Sequence, residues 1–164
     1  MASIRSFIDY LFGKRSEVKD MSAKDAMLAK VILDIHRKRT HTKFIRVPLF
    51  SLHQIHRLDR DNAMESLKKR IALLEENKDE IAELKSLSCD DLNHYLPSVS
   101  AIKVVQESVD SYIAYEGNGR LAALREIFSE AEGIELEVEN YVFENPAKII
   151  RRMNRVRKMN DLSF

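Results

Sequence analysis

The sequence predicts a domain of the α+β class. Short runs of β-branched and aromatic residues, typical of strands, occur at 44–50, 101–106, 111–115 and 134–143. Elsewhere apolar residues recur at the spacing of amphipathic helices. With 164 residues, 45% hydrophobic and 32% charged, the chain suits one globular domain with an extension. We therefore expect a helical N-terminal extension (1–43), an α+β domain (44–143) and a C-terminal basic amphipathic helix (144–164).

Charge and cysteine content restrict the class of protein. Lys and Arg total 27 against 26 Asp and Glu, so any attraction to nucleic acid has to come from local clusters. Cys89 is the only cysteine, which excludes an internal disulfide and favours a reducing, cytoplasmic location. No stretch approaches the roughly 20 apolar residues of a membrane-spanning helix, and the first residues lack a signal-peptide pattern.

Two helices are predicted before the domain. The first covers 3–12 and places apolar residues on one face, namely Ile4, Phe7, Ile8, Leu11 and Phe12. This helix either lies on a membrane surface or in a partner's groove, or it docks on its own domain or on a second subunit. The second helix begins at Ser22, which can cap it. It ends in a basic cluster at 37–39, where cations favour a helix C-terminus.

The first half of the predicted domain starts with the strand at 44–50. A polar connection at 51–62 follows, and helical periodicity then extends over 63–87. A break near Asn77 is expected to divide this stretch into two helices. Residues 88–98 are expected to be irregular.

The second half is richer in strands. The strands at 101–106 and 111–115 are joined by a hairpin turn. A helix is expected at 121–128, and 134–143 alternates apolar residues with glutamates as a half-buried strand does. Asn145-Pro146 opens the last helix, because proline is favoured in a first helical turn.

The turn Gly117-Asn118-Gly119-Arg120, the glycine turn, lies between a predicted strand and a predicted helix. Glycine permits positive φ and lets the backbone approach a ligand closely. The following helix directs free N–H groups and its positive dipole end toward the same point, so a phosphate there would also meet the Arg120 guanidinium. Asn118 either donates a further hydrogen bond or occupies a left-handed position. The spacing is neither that of a P-loop nor that of a dinucleotide fingerprint, and such turns often serve only to reverse the chain.

Residues 112–124, Tyr-Ile-Ala-Tyr-Glu-Gly-Asn-Gly-Arg-Leu-Ala-Ala-Leu, resemble the signature turn of the ParB/sulfiredoxin superfamily. Members carry a strand, then Gly-x-x-Arg, then a helix that opens with small residues. The surrounding order of elements is also similar over about 100 residues, including a family helix that would correspond to 66–71. The resemblance implies a ParB-like nuclease-domain fold, a small mixed sheet with flanking helices. It also implies a nucleotide or other phosphate at the glycine turn. If this ligand is a nucleoside triphosphate, Mg²⁺ is the candidate cofactor that accompanies it.

Three departures limit the resemblance. ParB proteins usually have Gly-Glu-Arg-Arg at this turn, so one arginine is missing here. Sulfiredoxins have their reactive cysteine at the position of Asn118, so sulfinic-acid reduction is not expected. The residues after Phe143 are too few for the helix-turn-helix domain of partition proteins. A complete partition protein is therefore not expected.

Other side chains are candidates for the same site. Arg57 and Arg60 lie in the polar connection, where the resemblance implies a second phosphate contact. Glu116 adjoins the glycine turn, where it is either a contact for Mg²⁺ or a ribose hydroxyl, or a surface residue at a strand end. If the protein is an enzyme, Glu116, Asp59 and Asp61 are the candidate catalytic groups. The histidines and aspartates of the connection fit no established metal motif, so no structural metal is expected.

The last predicted helix has a basic face, formed by Arg151, Arg152, Arg155, Arg157 and Lys158. This face either follows a nucleic-acid backbone or is a solvated surface. In the second case its cations would pair with neighbours such as Glu135, Glu137 and Glu139. The chain has no tryptophan and no interleaving of aromatic and basic residues, so stacking on single strands is not expected.

Three functions are consistent with these patterns. The leading hypothesis is a ParB-like nucleotide- or phosphate-binding domain that acts as a regulatory or interaction module, with slow nucleotide hydrolysis as an optional activity. The second is a ParB-like nuclease or a small-molecule phosphotransferase. The third is a non-catalytic DNA-binding or scaffold protein in which the glycine turn is structural. Each is compatible with an oligomer.

Overall fold

The computed structural model describes residues 23–162, which form a mixed sheet with helices on both faces. The strands are β1 (His41–Pro48), β2 (Leu52–Gln54), β3 (Ser86–Leu87), β4 (Lys103–Ser108), β5 (Ser111–Glu116) and β6 (Glu135–Val142). The helices are α1 (Ala23–Lys38), α2 (Asp61–Glu76), α3 (Lys78–Leu84), α4 (Cys89–Tyr95), α5 (Asn118–Ile127) and α6 (Ala147–Met159). The α+β class predicted from the sequence is confirmed. The helix predicted over 3–12 lies outside the described residues.

The strand order places the glycine turn near one edge of the sheet. The order is β1-β6-β4-β5-β2, with β3 beside β6. β1 pairs antiparallel with β6 along its whole length, and β4 runs parallel to β6. β5 returns antiparallel to β4, and β2 adds a short parallel edge to β5. The C-terminal end of β5 therefore leads directly into α5.

Two apolar clusters fill the two faces of the sheet. The cluster beneath α2–α5 includes Leu74, Ile81, Leu92, Leu121, Val104, Ala114, Leu136 and Val138. The cluster beneath α1 and α6 includes Val31, Ile35, Val105, Ile113, Tyr115, Tyr141, Ile149, Met153 and Val156. Successive residues of β5 alternate between the clusters, as the strand period of two requires. The helices at the two ends of the described chain therefore cover the face opposite α5.

The break near Asn77 is confirmed, since Asn77 lies between α2 and α3 and its side-chain amide donates to the carbonyl oxygen of Leu73 at 2.8 Å. The prediction that residues 88–98 are irregular is wrong, because this segment contains the helix α4. The Ser88 hydroxyl accepts from the Asp91 N–H and the Asp91 carboxylate accepts from the Ser88 N–H, both at 3.0 Å. This capping box begins α4.

The basic face predicted for the last helix is only partly correct. Arg157 is 5% exposed, and its Nε donates to the carbonyl oxygen of Gln54 at 2.9 Å. It belongs to the covered side of α6, with Met153 and Val156. In the part of the chain described by the structure, no helix has the length and apolar character needed to cross a membrane.

Candidate anion-binding cleft

Gly117 ends β5 and starts α5 in a backbone conformation that favours glycine. Its φ of 88° and ψ of 17° are left-handed. A Cβ atom at this position would lie 2.7 Å from Cγ1 of Ile102 and 3.2 Å from its Cα. Both the positive φ and the close approach of Ile102 therefore require glycine here.

Asn118 holds the glycine turn in place. Its side chain is 4% exposed; Nδ2 donates to the Ala114 carbonyl and Oδ1 accepts from the Ile55 N–H, each at 3.0 Å. The side-chain amide of Gln54 donates to the Asn118 carbonyl oxygen at 3.4 Å. The Asn118 side chain thus ties α5 to β5 and to the segment after β2. Both of these side-chain hydrogen bonds of Asn118 are made to backbone groups of the protein. The residue of the turn that has a left-handed backbone conformation is Gly117, not Asn118.

Gly119 leaves space for the guanidinium of Arg70, a residue that was not among the site residues predicted from the sequence. A Cβ atom on Gly119 would collide with Nη1 of Arg70 and lie 3.2 Å from its Cζ. Arg70 comes from α2, so the packing of α2 on α5 brings its guanidinium against the start of α5. A signal for it was present, because Arg70 lies three residues after Leu67 and four before Leu74, on the apolar side of the helix.

Arg120 supplies a second guanidinium at the same place. The residue is 3% exposed, and Nη2 donates to the Ser100 carbonyl oxygen at 2.6 Å. Burial, together with the neighbouring positive charge of Arg70, lowers the pKa of Arg120 from its ordinary value. Within 23–162 neither arginine forms a salt bridge. Two guanidinium groups with no carboxylate partner among these residues therefore lie at one helix N-terminus.

A cleft of about 310 Å³ opens at this point. It is lined by the glycine turn together with His56, Arg70, Ser98, Val99, Ser100, Tyr115 and Glu116. Two serines and a fully exposed Val99 form one rim. The cleft thus combines cations, hydroxyl groups and a helix N-terminus, which together favour an anion.

Glu116 is the carboxylate of the cleft, and its two oxygens already have partners. Oε1 accepts from the Ser100 hydroxyl at 2.8 Å, and Oε2 pairs with Nζ of Lys103 at 3.2 Å. Although burial opposes it, Glu116 raises the pKa of Lys103. Lys103 therefore offsets the charge of Glu116, although Glu116 also acts on Arg120 and opposes the lowering of its pKa. Arg70, Arg120 and Lys103 together outnumber this one carboxylate, so a net positive charge remains for a ligand.

The structure places the other candidates of the polar connection elsewhere. Arg57, Asp59 and Arg60 line a separate cavity of about 390 Å³ between α1 and the end of α6. Arg57 donates to the Asp161 carbonyl at 3.1 Å, and Arg60 forms an ion pair with Asp25. These side chains are not part of the cleft wall, although His56 lines both cavities.

The remaining candidates are also separate from the cleft lining. Asp61 is the exposed first residue of α2. The cations of the last helix, Arg151, Arg152, Arg155 and Lys158, belong to α6, which covers the opposite face of the sheet. Cys89 begins α4; burial and hydrogen bonding to Glu137 raise its pKa to about 11, so the thiol stays protonated at neutral pH.

No family model, curated protein or solved structure matches this chain. Among the residues that the structure describes, no group of three or more His, Cys, Asp or Glu side chains could hold a metal ion. The defining chemistry of the cleft is its pair of guanidinium groups.

Proposed function

We propose that the cleft binds the phosphate group of a nucleotide or another phosphorylated ligand, and that the protein is a regulatory or interaction module controlled by that ligand. The observation that carries this proposal is the convergence of Arg70 and Arg120 on the N-terminus of α5. Like charges at close range disfavour the folded state, and a bound anion removes that cost. Phosphate suits the arrangement because its oxygens accept bidentate bonds from more than one guanidinium.

The backbone adds donors to the same point. The first N–H groups of a helix have no acceptor within the helix. In α5 the Leu121 N–H bonds the Gly117 carbonyl at 3.0 Å, so the N–H groups of Asn118, Gly119 and Arg120 precede the intrahelical series. They add the positive end of the helix dipole to the two guanidinium charges.

The ParB-like resemblance supports a nucleotide as the ligand, accompanied by Mg²⁺ if it is a triphosphate. The contacts favour a binding module over a nuclease or phosphotransferase. A hydrolase needs a base near the bound phosphate, and Glu116, the carboxylate of the cleft, is already held by Lys103 and Ser100. We propose that Glu116 instead fixes Lys103 and Ser100 at the edge of the cleft.

A titration with matched variants tests the proposal. Inorganic phosphate and the nucleoside triphosphates, each with and without Mg²⁺, are titrated into the wild type by calorimetry and in thermal-shift assays. A ligand at 100 times its Kd raises the free energy of unfolding by about 2.7 kcal/mol. Arg70→Gln should weaken binding about ten- to hundredfold, because a charge-assisted hydrogen bond contributes about 1.5–3 kcal/mol.

The matched control is Lys69→Gln, which removes the same charge from the preceding, exposed position of α2. It should bind like the wild type. Absence of stabilisation by every phosphate ligand would refute the proposal. Equal weakening in the two variants would show that the cleft acts only through general charge.

A further inference from the structure

Four cations form a continuous line on the outer side of α6. Lys148, Arg151, Arg155 and Lys158, the basic ridge, are all exposed. At 3.6 residues per turn and 1.5 Å per residue, they fall within about 80° of the helix surface and span about 15 Å of its length. The buried residues of the helix, including Ile149, Met153 and Val156, lie on the other side against the sheet.

Helix stability accounts for only one residue of the basic ridge, Lys158, which lies in the last turn of α6, where the helix dipole favours cations. Lys148 is the second residue of α6, where the dipole disfavours them. Arg151 and Arg155 are four residues apart, a spacing at which like charges repel. α6 has no acidic residue at all.

Neighbouring acidic groups do not neutralise the ridge either. None of its four residues forms an ion pair within 23–162, and the ion pair of α6 with α1 joins Arg152 to Asp34. Glu137, one of the glutamates expected as partners, accepts from the Cys89 N–H at 2.9 Å. Within the residues that the structure describes, the positive charges of the ridge are therefore not neutralised by ion pairs.

The positive surface continues beyond α6. Lys38, at the end of α1, and Lys148 line the same open depression, together with one carboxylate, that of Glu144. Lys30 and Arg37 of α1 are also exposed. Because α1 and α6 pack side by side on one face of the sheet, their cations extend one surface, which faces away from the cleft side of the sheet.

We infer that the basic ridge binds the phosphate backbone of double-helical DNA without reading its base sequence. A duplex presents about nine phosphate charges over 15 Å of its axis, the length of the ridge. α6 has no aromatic residue, so stacking on unpaired bases has no platform. Its apolar side is covered by the sheet, so the helix has no apolar face to insert into a membrane.

Fluorescence anisotropy with a mixed-sequence duplex of about 20 base pairs tests this inference. The test variant is Lys148→Gln/Arg151→Gln/Arg155→Gln. The matched control, Lys68→Gln/Lys69→Gln/Lys78→Gln, removes the same charge from exposed positions of α2 and α3, on the cleft side of the sheet.

If the three ridge cations each contact a phosphate, the salt dependence of binding changes in a defined way. The slope of log K against log salt should become shallower by about 2.7 in the test variant. The affinity ratio of wild type to test variant then shrinks about 40-fold between 50 and 200 mM salt. The control should keep the wild-type slope. The test variant should also melt at or above the wild-type Tm, which shows that it is folded.

Three results would overturn the inference. One is no duplex binding by the wild type at 50 mM salt. Another is equal loss of binding in the test and control variants. The third is ridge-dependent binding of phosphatidylserine vesicles or polyglutamate that is as tight as binding of the duplex. Arg70→Gln should leave duplex binding unchanged, so failure at the ridge and failure at the cleft are separate results.

Discussion

Gly119→Ala should separate ligand binding from stability. Gly119 is the second residue of α5 and, unlike Gly117, does not have positive φ. Alanine therefore fits the backbone there. The three nearest atoms to an added Cβ all belong to the Arg70 guanidinium, the far end of a flexible side chain. The expected result is that the guanidinium moves away from the start of α5.

The two expected effects have opposite signs. Alanine is favoured over glycine by about 0.5–1 kcal/mol in the middle of a helix. Because Gly119 is in the first turn of α5, we expect this gain as an upper limit, which corresponds to a rise in Tm of at most about 4 °C for a chain of this size. Displacing Arg70 removes a charge-assisted phosphate contact, which weakens binding about ten- to hundredfold. Scanning calorimetry measures the first effect and titration calorimetry measures the second.

A double variant supplies the control. Gly119→Ala/Arg70→Gln should bind no more weakly than Arg70→Gln alone, because both changes remove the same contact. Wild-type affinity in Gly119→Ala would refute the assignment of Arg70 as a ligand contact. A loss of more than about 1 kcal/mol of stability would show that the added methyl strains the backbone instead.

Three further changes have defined outcomes. Gly117→Ala should lower the free energy of unfolding by about 2 kcal/mol or more in urea titrations, because φ is positive and the added Cβ would collide with Ile102. Burial holds the pKa of His36 below 6.5, so the unfolded chain takes up the proton first. The contribution of neutral His36 to stability is therefore fully present above about pH 6.5 and is lost as the pH falls toward 5. His36→Gln should make this loss of stability with falling pH less steep in thermal melts. Ser88→Ala should cost about 1 kcal/mol through loss of the α4 cap, whereas Ser98→Ala, on an exposed loop, should stay within about 0.5 kcal/mol.

Features set by local sequence were predictable. The strand β6 follows from strict alternation of apolar residues and glutamates, and the position of the glycine turn follows from two glycines ahead of a helical pattern. The boundary at Asn77 separates two helices whose apolar residues have the helical period. Each signal is complete within about ten residues, so no knowledge of the fold is needed.

Features that depend on contacts between residues distant in sequence were not predictable. β2 has three residues and exists through its pairing with β5, about 60 residues later. The capping box of α4 uses Asp91 where the common pattern has Glu or Gln. Arg70 joins the cleft because α2 packs on α5, about 50 residues away. The resemblance favoured Arg57 and Arg60 of the polar connection instead, but the structure places them in the cavity between α1 and the end of α6.

The pairing of β1 with β6 has a consequence for how the chain folds. His41 lies opposite Val142, so the first and sixth strands are neighbours although about 100 residues separate them. The loop that joins them can close only after the chain through β6 has left the ribosome. Such long-range pairing slows folding relative to a helical bundle. Until β6 arrives, both edges of β1 lack partners in the sheet, and its Lys43 and Arg46 are the charges that oppose pairing with other chains during that interval.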